Sequence, residues 1–260
     1  MKSSSLIMSL LCVLLTASLC VAAGYRGGSG QQTPAANGNA LTGTVDCLID
    51  QLPLEELSEE EAAELLYMYE EEKVARDVYT ALYATWGHWV FDHIANSEQR
   101  HLDAVACLLE RYELDLPLNA DTVGMFDSDA MQDLYDALVE RGSISLIDAL
   151  HVGATIEDLD IYDLQEYLAQ TDNEDIMTVY QNLLRGSRNH LRSFVYQLSL
   201  NDVEYVAQYL TQEEVDAIVN SEREAGRANA NGGSVDSTGR AGRNQNLQDC
   251  PYADDVATDA

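Results

Sequence analysis

The sequence predicts an all-α protein built on four long helices, with a long crossover carrying short helices between the second and the third. Three observations carry this. No stretch alternates apolar and polar residues as a half-buried strand would. Apolar residues recur instead at steps of three and four in four separate segments, and no Pro falls between Leu54 and Leu116. Helix starts are also written into the chain as capping boxes, Ser58 with Glu61, Thr171 with Glu174 and Thr211 with Glu214.

Residues 1–23 read as an export signal: Lys2, an apolar run over 6–17, and Val21-Ala22-Ala23 as a small-residue site with cleavage after Ala23. The protein is therefore expected to be secreted or extracytoplasmic. Residues 24–53, rich in Gly, Gln, Asn and Thr, read as a flexible linker, 54–200 as the helical body, 201–221 as a short C-terminal helix, and 222–260 as a disordered tail. Export implies an oxidising compartment. There Cys47 and Cys250, in the two flanks, form the natural disulfide pair, and Cys107, inside the second helix, is expected to be a buried thiol.

The first long helix opens at Ser58 and runs to about Thr85, before Gly87; its stripe is Leu65, Met68, Glu72, Ala75, Tyr79 and Leu82. The second, from Trp89 to about Glu113, buries Phe91, Ile94, Val105, Leu108 and Tyr112, and its stripe also holds Glu98 and His101. A crossover over 114–150 follows, with short amphipathic pieces at 128–141 and 143–150 parted by Gly142. The third helix is expected to open near Thr155 and to face inward through Glu157, Asp160, Ile161, Leu164 and Leu168. Capped by Thr171, the fourth runs to about Leu200 along Ile176, Val179, Leu183, Ser187, His190, Phe194 and Leu198.

Each stripe is interrupted by polar groups: Glu72; Glu98 and His101; Glu157 and Asp160; Ser187 and His190. Four carboxylates sharing a dry core need neutralising, because each buried anion costs several kcal/mol even after relaxation. Arginine, protonation and divalent metal are the three ways to do it. Arg76, Arg100, Arg188 and Arg192 are near in sequence but mostly off the stripes. His88, His93 and His151 fall at exposed or capping positions. The formal net charge of −31 disfavours nucleic acid as a partner and favours cations.

The run Glu72 to Tyr79, EKVARDVY, resembles the first-helix Glu-x-x-Ala-Arg-x-x-Tyr pattern of rubrerythrins, and ANSEQRH, ending at His101, is similar to their Ala-x-x-Glu-x-x-His. Glu157-x-x-Asp160 resembles their third helix, where two acidic ligands stand three apart. The wider frame, with SEQRH, GATIEDLDIYDL and RGSRNHLRSF, resembles the domain of unknown function 2202 family within the ferritin-like superfamily, over about 54–200. The resemblance implies a ferritin-like four-helix bundle with Glu72, Glu98, His101, Glu157, Asp160 and His190 as metal ligands. The metal it implies is a pair of irons, with manganese or zinc as alternatives. Ser187 departs from the pattern, since it stands where a Glu is expected. The C-terminal region also lacks the paired Cys-x-x-Cys of a rubredoxin module.

The function so implied is an exported di-iron oxidoreductase, ferroxidase-like or peroxidase-like. Its partners would be metal ions and a second copy in a homodimer, with no nucleic acid and no stable membrane insertion after signal cleavage. The alternative is a metal-binding or metal-free helical domain serving in interaction or structure without catalysis.

Overall fold

A computed structural model describes residues 49–224. The export signal, residues 24–48 of the linker, Cys47, Cys250 and the tail beyond 224 lie outside the described residues. Among those described the protein is all-α, with no strand. Its helices are α1 (Glu59–Trp86), α2 (Trp89–Arg111), α3 (Asp129–Gly142), α4 (Leu146–Leu168), α5 (Glu174–Ser199) and α6 (Gln212–Val219). None is long and apolar enough to cross a membrane.

The capping box that opens α1 is present: Glu61 N donates to Ser58 Oγ, and Glu61 Oε2 accepts from Ser58 N. The helix ends at Gly87, whose φ of 61° is left-handed backbone that costs glycine little, and its N–H closes on Tyr83 O at 2.7 Å. His88 then N-caps α2, its ring accepting from Val90 N. This tight connection folds α1 and α2 into a hairpin, and residues 169–173 do the same for α4 and α5. The two hairpins pack on each other through α1 with α4 and α2 with α5, and α3 lies across α1 and α4.

Three expectations need correction. α4 does not open near Thr155. It starts nine residues earlier at Leu146, with Ser145 Oγ accepting from Asp148 N as its cap, so the piece at 143–150 is its first turn. Gly153 lies inside α4 for a packing reason: a Cβ there would stand 2.4 Å from the Phe194 ring. The Thr171 capping box is also absent. Asn173 is the N-cap of α5, and the Thr171 hydroxyl donates to Glu61 Oε1 at 2.7 Å, tying the α4–α5 turn to the start of α1. Finally, Cys107 is not a free thiol, because it is disulfide-bonded.

Packing already begins at Ile49, which is buried, and Arg111 Nη2 holds Leu52 O at 2.6 Å. Toward the other end, the buried Asp158 carboxylate accepts from Tyr205 Oη and from the backbone N–H groups of Gln208 and Leu210. That clamp fixes the segment leading into α6. A second buried device ties the crossover down. Lys73 donates to Asp77 Oδ2 at 2.6 Å, Thr122 O at 2.9 Å and Met125 O at 3.0 Å, and its ammonium lies 4.0 Å from the centre of the Phe126 ring. Asp77 also accepts from Arg76 Nε and Gly124 N.

The apolar interior is in two parts. One gathers Val78, Leu82, Phe91, Ile161, Leu191 and Phe194. The other gathers Leu65, Met68, Leu108, Leu164, Ile176 and Leu183. The polar residues that interrupt the four stripes form a layer between them.

Candidate metal centre

Each long helix delivers its polar residues to that layer because they occupy core-facing slots of an apolar stripe. Glu72 comes from α1, Glu98 and His101 from α2, Glu157 and Asp160 from α4, and His190 from α5; all six are buried. Glu98 stands at the centre. Its Oε2 is 2.7 Å from His101 Nδ1 and its Oε1 is 2.8 Å from His190 Nδ1. Glu72 Oε2 meets His101 Nδ1 at 3.2 Å on one side, and Glu157 Oε2 meets His190 Nδ1 at 3.4 Å on the other. The arrangement is therefore two carboxylate–imidazole pairs sharing one carboxylate. The two imidazoles are stacked, with centroids 5.3 Å apart.

Short distances here are not all hydrogen bonds. Both oxygens of Glu98, Glu72 Oε1, Glu157 Oε2, Asp160 Oδ2 and His190 Nδ1 are buried without a hydrogen-bond partner among the described residues. Buried polar atoms are rarely left so, because each costs about 1–3 kcal/mol or more when charged. Buried oxygen and nitrogen atoms that converge from separate helices are what a cation-binding centre offers. Glu98, His101 and His190 present ligand atoms within 4.8 Å of one another.

The surroundings hold these groups in place. Tyr79 Oη donates to Glu157 Oε1 at 2.6 Å, and Ser97 Oγ lies 2.9 Å from His190 Nε2. A Cβ on Gly186 would stand 2.3 Å from His101 Nε2, so this glycine makes room for the ring. Ser187 is buried, and its hydroxyl donates back to Leu183 O at 3.2 Å within its own helix. Three of the nearby arginines are engaged elsewhere: Arg76 with Asp77 and Gln99, and Arg188 and Arg192 with Glu224.

Two buried carboxylates beside the layer were not anticipated, Glu71 and Asp163. Burial, then the Asp163 and Asp160 charges, push Glu71 well above the usual carboxylate range. Burial pushes Asp163 up to about 6, against a hydrogen bond with Glu71. A single-stripe reading of α4 hides them. Because α3 and the segment before α6 cover its other faces, α4 is buried nearly all round between Val152 and Ile161. The available signal was the acidic density of the run from Glu157 to Asp163, too high for a helix with one wet face.

Without metal, the layer balances its charge by sharing protons. Burial pushes Glu72 up to about 7 against the attraction of His101, and burial with the Glu98 charge pushes Glu157 up to about 7. Burial would lower His190, but Glu98 and Glu157 outweigh it and raise the imidazole to about 9. Glu72 and Glu98 likewise outweigh burial to raise His101. Burial would raise Glu98, yet the His190 and His101 charges hold it well below the usual range. Burial and the Glu157, Glu72 and Glu98 charges push Asp160 well up.

A pH dependence follows for the metal-free protein. Glu72 and Glu157 keep protons in the folded state between 4.5 and about 7, and His190 between 6.5 and about 9, where the unfolded chain has released them. Stability is therefore expected to fall as pH rises through these windows. Below 4.5 the sign reverses, because Glu98 must then be protonated on unfolding. Thermal melts in chelator between pH 5 and 9 should show a steadily falling Tm; a flat or rising one refutes this charge distribution.

With this geometry in place, relatives can be compared. Residues 61–222 match the family described as an uncharacterized protein domain, DUF2202. Uncharacterized protein MJ0754 of Methanocaldococcus jannaschii is 50% identical over 178 residues, which is 68% of this chain and 96% of the relative. The crystal structure of hypothetical protein MJ0754 from Methanococcus jannaschii DSM 2661 superposes with a TM-score of 0.66 at 50% identity, covering 67% of this chain and 100% of that one. The chain belongs to the DUF2202 family.

Proposed function

We propose that this is a ferritin-like four-helix protein whose buried layer holds two cations, with Glu98 bridging them. Glu72 and His101 would complete one position and Glu157 and His190 the other, with Asp160 adding charge beside them. The observation that carries this reading is the convergence of buried carboxylate and imidazole atoms from four helices at 2.7–3.4 Å from one another. Four carboxylates offset the charge of two divalent ions, as two imidazoliums and shared protons do in the metal-free layer. Oxygen and imidazole donors suit iron, with manganese and zinc as alternatives.

Iron held in such a site would supply one-electron chemistry toward dioxygen or peroxide, which would be the oxidant where ferrous iron is the substrate. The chain's own residues bind and orient. Tyr79 fixes one oxygen of Glu157, Ser97 fixes the outer nitrogen of His190, and the two apolar clusters exclude water on either side. Ser187, whose hydroxyl is bonded within its own helix, would supply no carboxylate on that side of the layer. The reading is of an exported oxidoreductase that oxidises ferrous iron or reduces peroxide. Export rests on residues 1–23 alone.

Protein loaded anaerobically with ferrous iron is expected to hold about two irons per chain by elemental analysis and to develop a new absorbance on adding peroxide. Uptake without turnover would favour storage over catalysis. No uptake would favour a metal-free domain, whose supporting observation is that His101 and His190, with Glu72 and Glu157 protonated, can neutralise the layer.

A further inference from the structure

We propose that the two cation positions are unequal, that the Glu157/His190 half is the tighter, and that Ser97 is the positioning residue that makes it so. The proposal rests on the reading of Glu98 as a bridge between two cations.

The halves look alike in ligand type and differ in what their ligand atoms are doing. In the His190 half, each ligand is tied by its outer atom to a neutral hydroxyl. Tyr79 Oη donates to Glu157 Oε1 at 2.6 Å, and Ser97, reaching across from α2 to α5, lies 2.9 Å from His190 Nε2. Their inner atoms, Glu157 Oε2 and His190 Nδ1, face each other at 3.4 Å, with Nδ1 2.8 Å from Glu98 Oε1. For Nδ1 to offer a lone pair the ring proton must reside on Nε2, and Ser97 Oγ is placed to accept it there. Both side chains are thus held at the outer atom with the inner atom facing the layer, where an arriving cation takes the place of the Nδ1 proton.

In the other half Glu72 Oε1 has no hydrogen-bond partner among the described residues. Glu72 Oε2 meets His101 Nδ1 at 3.2 Å much as Glu157 Oε2 meets His190 Nδ1 at 3.4 Å, so the outer hydroxyls are what distinguish the halves. His101 Nε2 packs against Gly186, so the ring is confined there by the close approach of a helix backbone. Ordering the ligands beforehand lowers the cost of binding. The cation position on the His190 side should fill first.

The test titrates the metal-free full chain with divalent manganese by calorimetry. Wild type is expected to bind two manganese ions in resolved steps. Ser97→Ala should weaken the tighter step about 10–100-fold, the usual effect of removing a group that orients a ligand, and leave the weaker step unchanged. Ser97→Thr, which keeps the hydroxyl, should restore it, and Glu72→Gln should weaken the other step alone. A Ser97→Ala protein whose tighter step moves less than about twofold, or whose two steps weaken equally, overturns the proposal. A wild type that takes up no manganese overturns the two-cation reading and the proposal with it. A second readout needs no metal: the His190 Nε2–H resonance should be slow to exchange in the metal-free wild type and lost in Ser97→Ala. Its persistence in the variant overturns the role given to Ser97.

Discussion

Glu98→Gln is expected to abolish metal uptake while leaving the protein helical. Each Glu98 oxygen lies within 2.8 Å of a different imidazole, so one neutralised carboxyl affects both halves at once. Changes to groups that merely orient ligands cost about 10–100-fold in metal affinity. Loss of the shared carboxylate should therefore exceed about 100-fold at both positions. Metal-free stability should fall too, because Glu98 is the anion that offsets both raised imidazoles, and breaking buried ion pairs costs roughly 3–5 kcal/mol. Elemental analysis after loading and denaturant melts of the stripped protein measure the two effects separately. If Glu98→Gln still binds two metals at wild-type affinity, the bridging role is lost. Stability loss with no metal bound by either protein would instead match a layer that neutralises itself.

The second large effect lies away from the centre. Lys73→Met is expected to destabilise the fold by roughly 3–5 kcal/mol, lowering Tm by about 6–20 °C for a body of this size. The substitution keeps the side chain's length but removes all three donors. Thr122 O and Met125 O lose their partner, and Asp77 keeps only Arg76 and Gly124 N. The crossover between α2 and α3 should loosen first, so limited proteolysis is expected to cut within residues 113–128 of the variant while sparing wild type. Lys73 and Lys2 are the only lysines, so amine labelling reads the same event: residue 73 of native wild type should resist modification until the protein unfolds. Ready labelling of native Lys73, or a loss under about 1 kcal/mol, would contradict the buried staple.

The contrast between these two sites shows how far the chain could be read in advance. Glu72, Glu98, His101, Glu157, Asp160 and His190 were legible because each breaks an apolar stripe at helical spacing, and geometry within one helix is enough to place such a residue inward. The capping boxes at Ser58 and Thr211 were legible for the same reason, since both partners sit three residues apart.

The start of α4 at Ser145 is a local cap that the sequence also carried, whereas most of what required the tertiary structure involved a partner distant in sequence. Lys73 and Asp77 look like solvated charges until the crossover folds over them. Thr171 looks like a cap until Glu61 claims its hydroxyl. Cys107 suggests a thiol until its disulfide is formed. Local sequence thus determined which faces turn inward and which chemistry they carry, because those depend on helical periodicity alone. Which buried charge meets which partner was decided by the packing of one helix on another, since only that sets the distances on which ion pairing and coordination depend.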